Sequence, residues 1–311
     1  MDLWLNLHNT KSNNPPNNIL KEIHSKTECM NSQSRNYIND AVAIIKREIG
    51  IDGIVSIILF GSQLFLNENQ NESTKISDCD LLIIFKDGVS NNLMRKVDRY
   101  FIALEHKHNF REENKSTINK MASIINQTTG MFVSHFLTKK KHWENAIFHK
   151  IFNVNKIISH LVAPTKIVLC NMVINSEILY GLDLREGVKK RIKISPLDMI
   201  KSITMNLIIS LFAIPLLLLK SFDSGKYQLE AVKWTLKASN YYAFKDSKPI
   251  IPTIKRFISL EKSEGNKRKA EKFYRKFLNL RKNPHVDLGF TLQSPVRIIK
   301  IHLMGIQRAK R

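Results

Sequence analysis

The chain has 311 residues, 43% of them hydrophobic, enough to bury a sizeable core and to suggest two domains rather than one; a low-hydrophobicity disordered chain is excluded. Its 49 Lys and Arg against 27 Asp and Glu leave a net charge of +22, which points to polyanionic partners such as nucleic acid, nucleotides or an anionic membrane surface. Cys29, Cys79 and Cys170 are far apart and form no C-x-x-C pair, so neither a disulfide framework nor a zinc module is indicated and a reducing, cytoplasmic setting is expected.

The first 33 residues, rich in Asn, Ser and Lys, read as a polar leader, mostly irregular, without the basic start and apolar run of a signal peptide. A helix is expected next, with Tyr37, Ala41, Ile44, Ile45 and Ile49 at helical spacing and Gly50 placed to end it. The β-branched run "IVSIILF" predicts a strand that ends at Gly61-Ser62. After a polar insert, "CDLLIIF" predicts a second, buried strand, and Leu93, Val97, Phe101 and Leu104 stripe an amphipathic helix. "GMFVSHFLT" predicts a third strand, and helical segments are expected from about Trp143 to Ile178. This alternation describes an α/β (α+β) domain over about 34–185 with a small mixed sheet. A basic, all-helical domain is expected over 195–311; from Lys233 onward the chain carries 20 Lys and Arg against 5 Asp and Glu, a net of +15.

Within that second domain, residues 203 to 219 ("ITMNLIISLFAIPLLLL") run without a charge between Lys201 and Lys220. The run is short for a bilayer and contains Thr204, Asn206, Ser210 and Pro215, so a buried core helix kinked at Pro215 is expected, with a membrane segment as the alternative.

The chemistry concentrates at two strand ends, "LFGS" and "SDCDLLIIF". Asp78 and Asp80, at i and i+2 on a strand, project from one face and repel unless a divalent cation lies between them. Hard Mg²⁺ (or Mn²⁺) accepts one or two carboxylates and completes its shell with phosphate oxygens. A Gly-Ser pair at a strand end offers backbone N–H groups and a hydroxyl to phosphate, so Gly61 and Ser62 are the candidate grip on a nucleoside triphosphate.

These residues resemble the G-S…D-x-D signature of the DNA polymerase beta-like nucleotidyltransferase superfamily, in particular its minimal and aminoglycoside-type domains. The resemblance covers about residues 36 to 185, is matched at Gly61, Ser62, Asp78 and Asp80, and extends to "NSEILYGLDL", which is similar to the segment that closes such domains. It implies a Mg²⁺-dependent enzyme that moves a nucleoside monophosphate from an NTP to an acceptor hydroxyl and releases pyrophosphate. The basic C-terminal region favours RNA over a small antibiotic as acceptor, with a protein hydroxyl as a further option.

The chain departs from that pattern in two ways. The Ser62-to-Asp78 interval is long, and no acidic residue lies between Glu113 and Glu144, so the third strand cannot supply the third carboxylate that such enzymes often use. His135 on that strand, or Glu144 after it, would be the substitute base; the alternatives are a hydrogen-bonded strand histidine and a catalytically inactive nucleotide- or RNA-binding protein on the same fold. "TKKKH" reads as a solvated basic turn, and the Arg297…His302 spacing of helical ribonuclease toxins is expected by chance in so basic a chain. "KRKAEKFYRKFLNLRK" is either a helix packing Phe273, Phe277 and Leu280 inward or a contact for an anionic surface.

Overall fold

The computed structural model describes residues 18–61, 64, 79–110, 134–218 and 223–310. Four strands form one mixed sheet in the order β3-β2-β1-β4. Strand β1 (Ile54–Phe60) pairs antiparallel with β2 (Asp80–Phe85) and with β4 (Ser176–Gly181), while β3 (His135–Lys139) runs parallel to β2. The parallel pair needs a crossover, and that connection contains α3 (Asn91–Lys107).

The apolar runs of β1 and β2 are continuous because helices cover both faces of the sheet. On one face Ile57, Leu59, Leu81 and Ile83 pack with Tyr37 and Ile38 of α2 (Ser32–Glu48) and Phe101 of α3. On the other, Ile58, Leu82 and Ile84 meet Trp143, Ile151 and Met172. Those residues come from α4 (Lys140–Glu144), α5 (Phe148–Ile151) and α7 (Thr165–Ile174), with α6 (Lys156–Val162) between the last two.

Two elements differ from the sequence expectation. Residues 18–27, part of the polar leader, form helix α1 because Ile19 and Ile23, one turn apart, both find the core. Lys26 at its end donates from Nζ to the Ile178 carbonyl at 2.9 Å, which caps the exposed edge of β4. Strand β4 itself falls within "NSEILYGLDL"; only Leu179 along it is fully buried, so its pattern lacks a clear period of two.

Helix α8 (Arg185–Arg191) leads into an all-helical half: α9 (Pro196–Leu218), α10 (Asp223–Phe244), α11 (Ile250–Ser259), α12 (Glu264–Lys282) and α13 (Leu288–Ala309). Helices α9, α10 and α13 pack on one another around Ile209, Val232, Leu236, Ile298 and Ile301. Helix α9 runs through Pro215 and is, by length and composition, apolar enough to cross a membrane. One of its faces is nonetheless packed inward, with Met205, Ile209 and Ala213 buried and Asn206 and Ser210 hydrogen-bonded to His302 and Gln228.

The basic amphipathic segment forms α12 with Phe273, Phe277 and Leu280 buried, the packing alternative. Arg297 is buried in an ion pair with Glu261 at 2.8 Å. His302 lies among Asn206, Ser239 and Tyr242 with its pKa pulled down to about 3 by burial. Both are core residues, so this spacing does not mark a nuclease site.

Candidate active site

Of the four signature residues, Gly61 and Asp80 are among those described; Ser62 and Asp78 lie outside them. Antiparallel pairing sets Phe60 opposite Asp80, which brings the end of β1 to the start of β2. Gly61 follows with φ +88°, a conformation that suits glycine and strains other residues. A Cβ there would overlap the Asp80 Oδ2 and stand 3.0 Å from its Cγ. The glycine therefore serves twice, allowing the turn and leaving the space that the Asp80 carboxylate fills.

By strand alternation Asp80 shares a face with Leu82 and Ile84. His135 does not. It pairs with Leu81 in parallel register, so its ring points to the opposite face, 5.0 Å from the Phe101 ring on α3. Its Nδ1 is 2.7 Å from Glu105 and its Nε2 3.0 Å from Asp98. Burial disfavours the imidazolium, but the hydrogen bonds to Asp98 and Glu105 outweigh it and raise the pKa. The expectation that His135 acts as a catalytic base beside Asp80 is corrected on this geometry: both nitrogens are engaged and the sheet stands between them. Asp98, Phe101 and Glu105 follow one another on one face of α3, and that juxtaposition of two acids with an apolar stripe was the signal for a buried cationic partner.

The β3 position on the Asp80 side is Ser134, the residue before His135. Its backbone carbonyl accepts from Leu81 N–H at 2.9 Å, and its backbone N–H donates to Glu105 at 2.8 Å. Its buried hydroxyl finds no partner among the described residues. A serine thus stands at the β3 position beside Asp80, where a third carboxylate was sought.

The helical half contributes groups that sequence reading missed. Lys237 of α10 is half-buried, and the Asp80 charge acts on it. Desolvation, followed by repulsion from Lys233 and Arg281, pulls its pKa down to about 8, while Glu230 and Asp80 oppose the shift. Lys233 donates to Glu230 at 2.6 Å. Burial works against the Glu230 carboxylate, but Lys233 and Arg281 more than compensate and lower its pKa. Glu230, Lys233 and Lys237 lie three and four residues apart, one face of a helix, a pattern that alone does not say what it faces.

The oxygen donors of Asp80 suit a hard divalent cation, and the side-chain-free Gly61 leaves the carboxylate room. Among the described residues no group of three or more His, Cys, Asp or Glu is placed to hold a metal. The arrangement fits an ion held by one or two carboxylates and completed by phosphate oxygens and water, not a closed protein cage.

No family model and no curated protein matches the chain. Among solved structures it is similar to the crystal structure of spectinomycin adenyltransferase AAD(9) from Enterococcus faecialis with ATP and spectinomycin, at a TM-score of 0.47 and 9% identity, over 87% of this chain and 98% of that one. A likeness at that level carries no weight for chemistry; the residues around Asp80 do.

Proposed function

We propose that the protein is a Mg²⁺-dependent nucleotidyltransferase that moves a nucleoside monophosphate from an NTP to an acceptor hydroxyl. The reading is carried by one observation: Gly61 and Asp80 stand together at the paired ends of β1 and β2, within electrostatic reach of Lys237. A carboxylate beside a side-chain-free turn, whose charge acts on a lysine under the repulsion of two further cations, is a place where a chelated polyphosphate would relieve like-charge repulsion.

In this reading Gly61 and Ser62 present backbone N–H and hydroxyl donors to the β- and γ-phosphates, while Asp78 and Asp80 hold the cation. When bound, that ion supplies charge neutralisation and orientation of the phosphate oxygens. Lys237, whose charge Lys233 and Arg281 repel, would stabilise the charge that gathers on the departing pyrophosphate. The acceptor hydroxyl oxygen bonds to the α-phosphorus as its proton passes to solvent water, and the bond from that phosphorus to the bridging oxygen breaks, the electron pair leaving on pyrophosphate. The acceptor approaches between the sheet and the helices, where the basic helical region suits RNA.

The engagement of His135 and the serine on β3 favour a second reading, a nucleotide- or RNA-binding protein without turnover. Incubation with each α-labelled NTP, Mg²⁺ and bulk RNA separates the two. Transfer of label, abolished by Asp80→Asn and by Asp78→Asn, is the result expected. Saturable NTP binding with no transfer from any of the four nucleotides would leave the binding protein standing and sink the enzyme.

A further inference from the structure

Helices α9 and α13 expose the residues that a helix in water normally buries. On α9, Ile200, Ile208 and Leu211 share an outward face with Thr204 between them and no charge. On α13, Leu292, Val296 and Leu303 do the same, Val296 at 71% exposure. The two helices pack on one another, so the stripes belong to neighbouring elements and far exceed the single apolar residues scattered over ordinary surfaces.

Their relative direction follows from the contacts. Asn206 reaches His302 at 3.1 Å, and Ile194 and Met199 pack on the same Ile167–Ala238–Tyr242 cluster as Ile306, so the start of α9 lies at the end of α13. That end is basic, with Lys193 before α9 and Arg308 and Lys310 at the close of α13 all exposed. Lys201 of α9 is there too, reaching back to the His160 carbonyl of α6. Each helix therefore carries its own outward apolar strip, bordered on α13 by Lys300 in its ion pair with Glu261, and the end the two helices share bears a cationic collar.

Three occupants would cover an apolar strip: a second copy, another protein, or a bilayer. A second copy would set a net charge of +22 against another +22, and the collar offers it no complement. An anionic lipid surface satisfies both parts at once, acyl chains against the strip and head groups against the collar. Crossing the bilayer is a different matter, since Asn206 and Ser210 of α9 are already hydrogen-bonded into the helical core. We propose that the α9/α13 face docks peripherally on an anionic membrane, with both helices lying along its surface. This stands independently of the nucleotidyltransferase reading.

The test is co-flotation of the full chain with vesicles of phosphatidylcholine alone and of phosphatidylcholine mixed with phosphatidylglycerol. Binding to the anionic vesicles, about tenfold or more above the neutral ones and weakened by salt, is expected from several lysines and arginines at the surface. Ile208→Glu with Val296→Glu, both at exposed positions and checked for an unchanged thermal midpoint, should remove it; Lys193→Glu with Lys310→Glu should erase the preference for anionic lipid. Absence of binding to either vesicle, or binding that the Ile208/Val296 pair leaves intact, overturns the proposal. So does a dimer in light scattering that Val296→Glu dissociates, which would give the face to a second copy. Retention on natural membranes after an alkaline carbonate wash would overturn it in favour of a spanning α9.

Discussion

A single missing side chain decides how close Gly61 and Asp80 can come. Alanine at 61 would have to adopt a φ of +88° and displace the Asp80 carboxylate. We expect Gly61→Ala to lower stability by about 1–3 kcal/mol in urea unfolding and to cost transfer activity in the folded fraction as well. A loss of stability with unchanged kinetics would mean that the carboxylate position is unimportant. His135 makes a separate prediction. Its raised pKa means that its contribution is fully present below the unfolded value near 6.5 and is lost as pH rises through the higher folded value. His135→Ala removes the imidazolium 2.7 Å from the buried Glu105 carboxylate and should cost about 3–5 kcal/mol at pH 6, with a gap to the parent chain that narrows at alkaline pH. If the folded variant instead lost nucleotide transfer outright, His135 would have a role that its placement does not explain.

Helix α10 belongs to the helical half, and its Lys237 is the residue on which the Asp80 charge acts. Removing a cation already repelled by Lys233 and Arg281 relieves strain in the free protein but takes a phosphate partner away. Lys237→Ala should therefore weaken NTP binding by about tenfold or more in calorimetry while leaving the urea midpoint unchanged or raised. Helix α13 makes the opposite kind of contact through His302, held neutral among Asn206, Ser239 and Tyr242. A base whose folded pKa is depressed contributes stability above its unfolded value, lost as pH falls toward the folded one. With His302 pulled down to about 3, its unfavourable slope should approach about 1.4 kcal/mol per pH unit below pH 6.5. His302→Gln should flatten the acid limb of the stability profile by that slope; an unchanged limb would assign acid lability to other groups.

At the scale of the whole molecule, the candidate site draws on both the sheet and the helical half, so a ligand there should hold the two together. Nucleotide with Mg²⁺ at about a hundred times its Kd stabilises the native state by about 2.7 kcal/mol, which for a chain of this size is a thermal shift of several degrees. The shift should vanish in Asp80→Asn and shrink in Lys237→Ala. A full shift in both variants would place the nucleotide elsewhere.

Much of this was legible beforehand. The apolar runs of β1 and β2, the helix stripe through Val97 and Phe101, and the change to a helical half were written in periodicity and β-branching, which depend on local spacing alone. The same local logic marked Gly61 and Asp80, because a glycine at one strand end and a carboxylate at another are rare enough to stand out. It did not mark β4, whose single buried residue leaves no period, nor α1, where two isoleucines sufficed once a core existed to receive them.

The sequence by itself determined that a basic chain would carry a small sheet with Gly61 and Asp80 at its strand ends. Only the tertiary structure decided which side of that sheet each residue meets. Side chains alternate, so one step of register sends His135 to Asp98 and Glu105 and leaves Ser134 on the Asp80 side. Lys237 stands 157 residues from Asp80 in the chain, and no local pattern could bring them together. The influence of the Asp80 charge on Lys237, like the packing of α9 on α13, depends on which elements lie near one another, a property of the whole fold that no stretch of chain carries alone.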